Sequence, residues 1–261
     1  FITQYITTMQ LSGPGRTMKS TLFDGRNRKV AVLIDPDKND DKGLTEIAHK
    51  ASSSKVDFIL AGGSLTHTPV GTMISRLREL TGIPVVLFPG SLIQLSAEAD
   101  FIFLLSLISG RNPELLIGNH VVAAPYLSGV REKVIPVGYI LINCGKTTSV
   151  EYMSQTSAIP YEKADIAVAT AIAGEMLGMK AIYLEGGSGA EKPVSTKMIA
   201  AVKKEITIPL ITGGGLKSAD DIMNAYKAGA DIIVIGNGCE SNRALIADAC
   251  RVRDTFNLTE K

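Results

Sequence analysis

The sequence predicts an α/β fold, and within that class a modified (β/α)8 TIM barrel that forms a single domain over residues 1–261. Two observations support this prediction. Short apolar runs alternate with helical patterns eight times along the chain, which is typical of a parallel sheet covered on both faces. Nearly every run ends in glycines or polar residues, where a barrel carries its functional loops. A doubly wound open sheet, the alternative, would not usually show this at nearly every strand end.

The strand–helix alternation begins at residue 29, and residues 1–28 are expected to form a leading helical cover. Strands are predicted near residues 30–34, 57–60, 84–88, 101–105, 134–142, 180–185, 208–212 and 231–235. Helices are predicted near residues 42–53, 69–80, 113–124, 162–177, 194–205, 218–228 and 242–256. The stretch between the third and fourth strands is short, so the third helix is expected to be irregular or missing.

The composition excludes several classes of protein. Hydrophobic residues make up 45% of the chain, too many for a disordered protein. Lys plus Arg number 27 against 26 for Asp plus Glu, so nucleic acid is not an expected partner. The three cysteines have neither metal-ligand nor disulfide spacing. With neither a secretory signal nor a long apolar run in view, the expected location is the cytoplasm.

Glycine-rich loops follow the last three predicted strands, at residues 183–189, 213–215 and 236–238. Glycine lets backbone N–H groups approach an anion closely, and this end of a barrel commonly holds phosphate. One such loop can be an ordinary turn, whereas three in succession predict a phosphate site. Tyr183 and Glu185 are two residues apart on the sixth strand, so both side chains are expected to share a face.

A second anion site is predicted beside the first strand. Asp35 and Asp37 follow that strand, and their spacing of two would put both carboxylates on one face. Ser64 follows the neighbouring strand after two glycines and can add a hydroxyl. Oxygen ligands of this kind suit Mg²⁺, which keeps several waters. The alternative is that the carboxylates cap a helix or lie in a solvated loop.

Two further polar residues are open to interpretation. Arg111 follows the fourth strand and can either meet a diphosphate or lie in a solvated loop. His67 is a candidate for the barrel mouth, whereas His49 and His120 are expected on the surface or on helices.

These landmarks together resemble the geranylgeranylglyceryl phosphate synthase family, which includes the bacterial heptaprenylglyceryl phosphate synthases. The resemblance covers nearly the whole chain from residue 29 and depends on segments 33–38, 62–64, 88–91, 109–114, 183–189, 213–216 and 236–237. Any one segment alone is unspecific, whereas the combination is specific. Leu33, where the Bacillus type carries lysine, is more similar to the archaeal and Bacteroidetes-type group.

The resemblance implies a Mg²⁺-dependent prenyltransferase. Such an enzyme joins the 3-hydroxyl of sn-glycerol 1-phosphate to a polyprenyl diphosphate, here geranylgeranyl, forming an ether and releasing diphosphate. By position, Asp35 and Ser64 would bind Mg²⁺. Glycerol phosphate would be held by residues of the last three loops: Tyr183, Leu184, Glu185, Gly186, Gly187, Ser188, Gly189, Gly214, Gly215, Gly236 and Asn237. Glu185 would take the proton of the 3-hydroxyl while Tyr183 orients the substrate.

The prenyl tail needs an apolar groove, expected along the second to fourth strands near Leu87, Phe88, Leu104 and Leu105. The same side chains can instead be ordinary barrel core. A homo-oligomer, either a hexamer or a dimer, is also expected, and so is transient contact with a membrane. One rival interpretation is a phosphosugar isomerase or lyase on the same barrel, and another is a non-catalytic protein that binds a phosphate ligand.

Overall fold

Eight strands close into a barrel within the residues that the computed structural model describes, which are 22–23, 27–236, 239 and 242–259. Every strand runs parallel to its neighbours, and β8 pairs with β1 to complete the ring. The strands are β1 Lys29–Ile34, β2 Phe58–Ala61, β3 Val85–Leu87, β4 Phe101–Leu107, β5 Val134–Leu141, β6 Ala181–Glu185, β7 Leu210–Gly213 and β8 Ile232–Ile235. This topology confirms the predicted barrel and excludes the open sheet.

Helices pack around the outside of the barrel. They are α1 Asp41–Ser53, α2 Val70–Thr81, α3 Asn119–Leu127, α4 Ser149–Ser154, α5 Ala164–Met176, α6 Thr196–Glu205, α7 Ala219–Lys227 and α8 Ala244–Thr259. Asp40, Ser195 and Ser218 accept backbone N–H groups and so fix where α1, α6 and α7 begin. The short helix α4 was not predicted. No helix within the described residues combines the length and apolar character needed to cross a bilayer.

The third β/α unit lacks a regular helix, as predicted. Residues 88–100, all of them described, contain only the 3-10 turn Leu92–Gln94. A π-helical turn, Glu114–Gly118, then precedes α3, and the 3-10 segment Ser128–Lys133 follows it. With this short turn in place of a helix, Leu104 on the outer face of β4 stays only partly buried.

Two apolar layers stabilise the barrel. Side chains alternate along each strand, so one set fills the interior and the other packs beneath the helices. On β4, Phe103 and Leu105 belong to the inner layer, whereas Ile102 and Leu104 belong to the outer layer. This alternation decides which strand residues can reach a site inside the barrel.

Part of the predicted leading cover lies among the described residues. Leu22 is buried against the inner layer, and Phe23 stacks on Phe103 with 6.2 Å between the ring centroids. Both side chains therefore help to fill the barrel interior. Residues 27 and 28 are also described and are not helical. The rest of that prediction, residues 1–21 and 24–26, lies outside the described part of the chain.

Candidate active site

A cavity of about 890 Å³ opens at the carboxyl ends of the strands. Both predicted anion sites contribute to its wall, which includes Asp35, Gly63, Ser64, Tyr183, Glu185, Gly187, Ser188, Gly189, Gly214, Gly215 and Gly236. The carboxyl ends of all strands in a parallel barrel meet at one face, so loops distant in sequence share this space. The two sites therefore belong to one cavity.

Glu185 ends β6 with a buried carboxyl group. The residue is 6% exposed, and its Oε1 accepts a hydrogen bond from the N–H of Gly187 at 2.6 Å. Burial raises the pKa of this carboxyl above its ordinary value, and the bond from Gly187 opposes the rise. None of the ion pairs found among the described residues includes Glu185. A buried carboxyl without a cation is well suited to exchange a proton.

Tyr183 points from β6 into the barrel beside Glu185, as their spacing predicts. Its ring contacts those of Tyr139 and Phe88 at centroid distances of 5.4 and 5.7 Å. The buried hydroxyl lies close enough to Glu185 to lower the pKa of the carboxyl, against the larger effect of burial. Its geometry nevertheless falls short of a hydrogen bond to any described group. This hydroxyl therefore has unused hydrogen-bonding capacity beside the carboxyl group of Glu185.

Close packing around Glu185 requires glycine at several positions. A Cβ at Gly213 would lie only 2.4 Å from the Tyr183 hydroxyl oxygen, and one at Gly214 would lie 2.6 Å from Glu185 Oε1. Gly214 and Gly215 also have φ values of +81° and +73°, which strain any other residue. The loops after β6 and β7 thus interlock around the carboxyl group.

Three members of the predicted glycerol phosphate set differ from the rest. Leu184 faces the outer layer beneath the helices, so its side chain does not line the cavity. Gly186 donates its N–H to the Gly213 carbonyl at 2.9 Å and is also absent from the cavity wall. Asn237 lies outside the described residues, whereas its neighbour Gly236 lines the cavity.

Asp35 lies against the backbone of the loop after β2. A Cβ at Gly63 would be 2.8 Å from Asp35 Oδ2, so the residue before Ser64 packs directly on the carboxylate. Asp35 Oδ1 accepts the N–H of Asp37 at 3.0 Å, and Lys38 Nζ is 4.0 Å from Oδ2. The carboxylate of Asp35 and the residue Ser64 thereby come to one edge of the cavity.

Asp35 and Ser64 could hold a metal ion only if other ligands completed its coordination shell. No cluster of three or more His, Cys, Asp or Glu side chains able to hold a metal occurs among the described residues. Mg²⁺ commonly takes one or two carboxylates from a protein and completes its shell with water and phosphate oxygens. Asp35 and Ser64 match that pattern of few protein ligands.

Asp37 does not share a face with Asp35, so that prediction was wrong. The chain enters a 3-10 turn at Pro36, which breaks the strand period. The Asp37 carboxylate instead accepts the N–H groups of His67 and Thr68 at 2.6 and 2.8 Å. These bonds hold the pKa of Asp37 well below its ordinary value. Asp37 thus ties the loop after β1 to the loop after β2.

His67 and Arg111 do not line the cavity. The His67 side chain is 85% exposed and lies beside Asp37, so the suggested place at the mouth was wrong. Arg111 Nη1 donates to the Gly110 carbonyl at 2.7 Å and thereby closes its own loop.

His120 does line the cavity, which the sequence did not indicate. It lies on α3, and its Nε2 is 3.0 Å from Ser106 Oγ on β4. Its Nδ1 is buried and has no hydrogen-bond partner among the described residues. Burial lowers the pKa of the ring, which favours a neutral imidazole at neutral pH. Only the packing of α3 against β4 brings His120 here, so no local pattern could have identified it.

The part of the cavity next to β3 and β4 is apolar. Its wall includes Phe88, Leu92, Phe103, Leu104, Leu105, Leu107, Leu115 and Ala123. Leu104 and Leu105 face opposite sides of one strand, yet both line the cavity. The cavity therefore passes from the interior over the rim, at the place where a short turn replaces the third helix. Leu87 is buried in the outer layer instead, so its predicted place in the groove was wrong.

The fold and this cavity together define a class of protein. Glycine loops after the last strands of a (β/α)8 barrel are the usual phosphate site of the fold. A buried carboxyl with a raised pKa beside them is characteristic of catalysis. The chain is thus a barrel enzyme of the kind that acts on phosphate compounds. More narrowly, it belongs to the PcrB family, whose model matches residues 24–252.

Similar proteins include two bacterial enzymes and one archaeal structure. Geranylgeranylglyceryl phosphate synthase of Spirosoma linguale is 45% identical over 88% of this chain and 93% of its own. The synthase of the same name from Chitinophaga pinensis is 48% identical over 85% of this chain and 88% of its own. The crystal structure of (S)-3-O-geranylgeranylglyceryl phosphate synthase from Thermoplasma acidophilum contains its substrate sn-glycerol-1-phosphate. It matches with a TM-score of 0.84 at 29% identity, covering 93% of this chain and 99% of that chain.

Proposed function

We propose that this protein joins the 3-hydroxyl of sn-glycerol 1-phosphate to geranylgeranyl diphosphate, forming an ether and releasing diphosphate. The observation that carries the proposal is the single cavity. A glycine-lined site with a buried carboxyl, a second oxygen site and an apolar extension all open into it. Reactants held side by side in this way no longer need to meet by diffusion. The names of the relatives support the same reaction.

Glycerol phosphate is assigned to the side of the cavity formed by the loops after β6, β7 and β8. Backbone N–H groups of glycine loops bind phosphate without carrying a full charge. The Tyr183 hydroxyl, buried but without a partner among the described groups, can donate to or accept from a glycerol hydroxyl. The Thermoplasma acidophilum relative contains sn-glycerol-1-phosphate, which supports this assignment.

Glu185 is assigned the role of general base. Its raised pKa makes the ionised carboxylate a stronger base than an exposed glutamate. The carboxylate takes the proton of the 3-hydroxyl as that oxygen attacks the first carbon of the prenyl chain. The bond from this carbon to the diphosphate breaks, and diphosphate leaves with the electron pair.

We assign Asp35 and Ser64, which both line the cavity, to Mg²⁺. When bound, the ion would neutralise charge on the diphosphate and make it a better leaving group. Asp35 and Ser64 would orient the diphosphate at their edge of the same cavity that Glu185 lines. Lys38, 4.0 Å from Asp35, would add positive charge near the same oxygens.

The apolar part of the cavity is assigned to the prenyl tail. Phe88 contacts both Phe103 and Tyr139, and all three rings line the wall with Tyr183. Aromatic faces tolerate positive charge and exclude water, which protects the cation-like carbon formed as diphosphate leaves. A phosphosugar isomerase or lyase would have no use for this apolar region, so the prenyltransferase is the better-supported function.

The remaining expectations from the sequence stay predictions. A homo-oligomer is supported by exposed apolar residues on and beside α3: Ile117, Val121, Val122 and Tyr126, which are 51% to 67% exposed. The expected cytoplasmic location and the expected lack of a nucleic-acid partner rest on the sequence alone and stay predictions.

The decisive experiment is a product assay. The protein is incubated with Mg²⁺, radiolabelled sn-glycerol 1-phosphate and prenyl diphosphates of several lengths, and the lipid is then extracted. We expect label in the organic phase, strongest with geranylgeranyl diphosphate and abolished by a chelator. The enantiomer sn-glycerol 3-phosphate is the control substrate. If folded protein transfers no label from any donor, the proposed function is wrong.

A further inference from the structure

Large apolar side chains are exposed around the cavity mouth on the side of β2 to β5. Leu65 after β2, Ile93 after β3 and Met153 on α4 all line the cavity, yet they are 58%, 84% and 54% exposed. Tyr152, the neighbour of Met153, is 77% exposed. All four follow carboxyl ends of strands, so they lie at the same end of the barrel. We call these four residues the apolar rim.

The apolar rim continues the lining of the cavity. Leu92 and Leu95 line the wall on either side of Ile93 in the chain and are partly buried. Apolar surface thus begins inside the barrel, passes over the edge and ends in solvent. Scattered exposed apolar residues are common, but a group that borders an apolar cavity indicates a binding surface.

The charges at the mouth favour an anionic partner. The carboxylates in the cavity wall are turned inward, since the Asp35 side chain is 18% exposed and Glu185 is 6% exposed. Lys38 and Lys217, which also line the cavity, are exposed, and Lys38 Nζ lies 4.0 Å from the inward-turned Asp35 carboxylate. Lys217 Nζ donates a hydrogen bond to the Glu191 carbonyl. Because a carbonyl carries no net charge, this bond does not neutralise the lysine. Exposed lysines beside aliphatic and aromatic side chains suit the surface of an anionic bilayer.

We propose that the apolar rim, with Lys38 and Lys217, docks the protein on an anionic lipid bilayer so that the cavity mouth faces the membrane. This inference rests on the proposed function, because a long prenyl diphosphate keeps its tail in the bilayer. Docking lets that tail move from lipid into the apolar part of the cavity without crossing water. The sequence predicted transient membrane contact only from the substrate, whereas the structure assigns the surface that makes it.

Vesicle flotation tests the proposal without any substrate. The wild-type protein is mixed with phosphatidylcholine vesicles that either contain or lack phosphatidylserine. Leu65→Ser combined with Ile93→Ser is the test variant, and Leu258→Ser is the matched control. Leu258 is 76% exposed on α8 and is not part of the cavity wall. We expect binding to the anionic vesicles that falls on the order of tenfold or more in the test variant and stays unchanged in the control.

The possible outcomes are distinct. Failure of the wild type to float with anionic vesicles, or an equal loss in the control, overturns the proposal. Sedimentation velocity adds a second criterion: if the rim substitutions dissociate an oligomer, the rim contacts another copy of the chain and docking on lipid is wrong. Wild-type turnover of detergent-dispersed prenyl diphosphate is measured separately. Absent turnover refutes the proposed function, whereas absent flotation refutes only the docking.

Discussion

The two buried carboxylates at opposite ends of the barrel, Asp231 and Glu185, differ in their partners. Ion pairs close the amino end, where Arg253–Asp57 and Lys203–Asp231 both have separations of 2.6 Å, and Arg28 also pairs with Asp231. At the carboxyl end, Glu185 is buried and forms none of the ion pairs found among the described residues. Pairing stabilises the charged form of a carboxylate, whereas isolation leaves its proton easy to exchange. The amino end is therefore arranged for stability and the carboxyl end for chemistry.

The sharpest test of this contrast is Glu185→Gln. Removing the base should lower kcat by about 10²- to 10⁴-fold, while glycerol phosphate still binds through the glycine loops. Because the amide needs no ionisation in a buried place, the melting temperature should stay the same or rise. Turnover, calorimetric binding of glycerol phosphate and thermal unfolding check the three parts. Unchanged turnover would remove Glu185 from the mechanism.

The opposite substitution is Arg253→Met at the amino end. Arg253 is 6% exposed and donates to Asp57 and to the Lys55 carbonyl. Because Asp57 is partly exposed, loss of Arg253 should lower the free energy of unfolding by about 3 kcal/mol, the lower end of the range for buried pairs. Turnover by the folded fraction should not change, because these groups lie at the other end of the barrel. Arg251→Met, at a residue whose side chain is 73% exposed, serves as the control and should have little effect. A kcat loss as large as that of Glu185→Gln would show that the amino end also takes part in catalysis.

The pH dependence sharpens the same comparison. The base must be ionised, so kcat should fall about tenfold per pH unit below the raised pKa of Glu185. Stability should respond in the other direction. The folded state holds this proton more tightly than the unfolded state. As pH rises from the ordinary carboxyl pKa to the raised one, the wild type should therefore lose stability relative to Glu185→Gln. A pH-rate profile and denaturant unfolding of both proteins measure these effects; a difference independent of pH would contradict the buried-carboxyl account.

The smallest effect is expected from Asp37→Asn. The change weakens two bonds to the loop that carries Ser64 without altering a proposed metal ligand. Prenyl diphosphate binding in the presence of Mg²⁺ should weaken by about tenfold, while glycerol phosphate binding should stay unchanged. Asp165→Asn, at an exposed position on α5, is the control. Titration calorimetry distinguishes the two ligands, and equal weakening of both would show a general loss of fold instead.

The residues that the sequence located correctly carry local signals. Tyr183 and Glu185 share a face because strand side chains alternate, and Gly214 and Gly215 are marked by backbone geometry that disfavours other residues. The residues it misplaced depend on distant partners. The strand period predicts that Asp37 shares a face with Asp35, but the turn at Pro36 ends that period. His120 reaches the cavity only through the packing of its helix on β4.

Sequence alone determined the alternation of strands and helices, the missing regular third helix and the glycine loops, because each of these arises from neighbours along the chain. Tertiary structure decided that the loops after β1, β2 and β6 to β8 share one cavity, and that this cavity runs outward past Leu104. It also decided that Glu185, a buried carboxylate, forms no ion pair with any residue in the described part of the chain. Barrel closure sets these distances, and a linear pattern contains no information about what packs across the barrel.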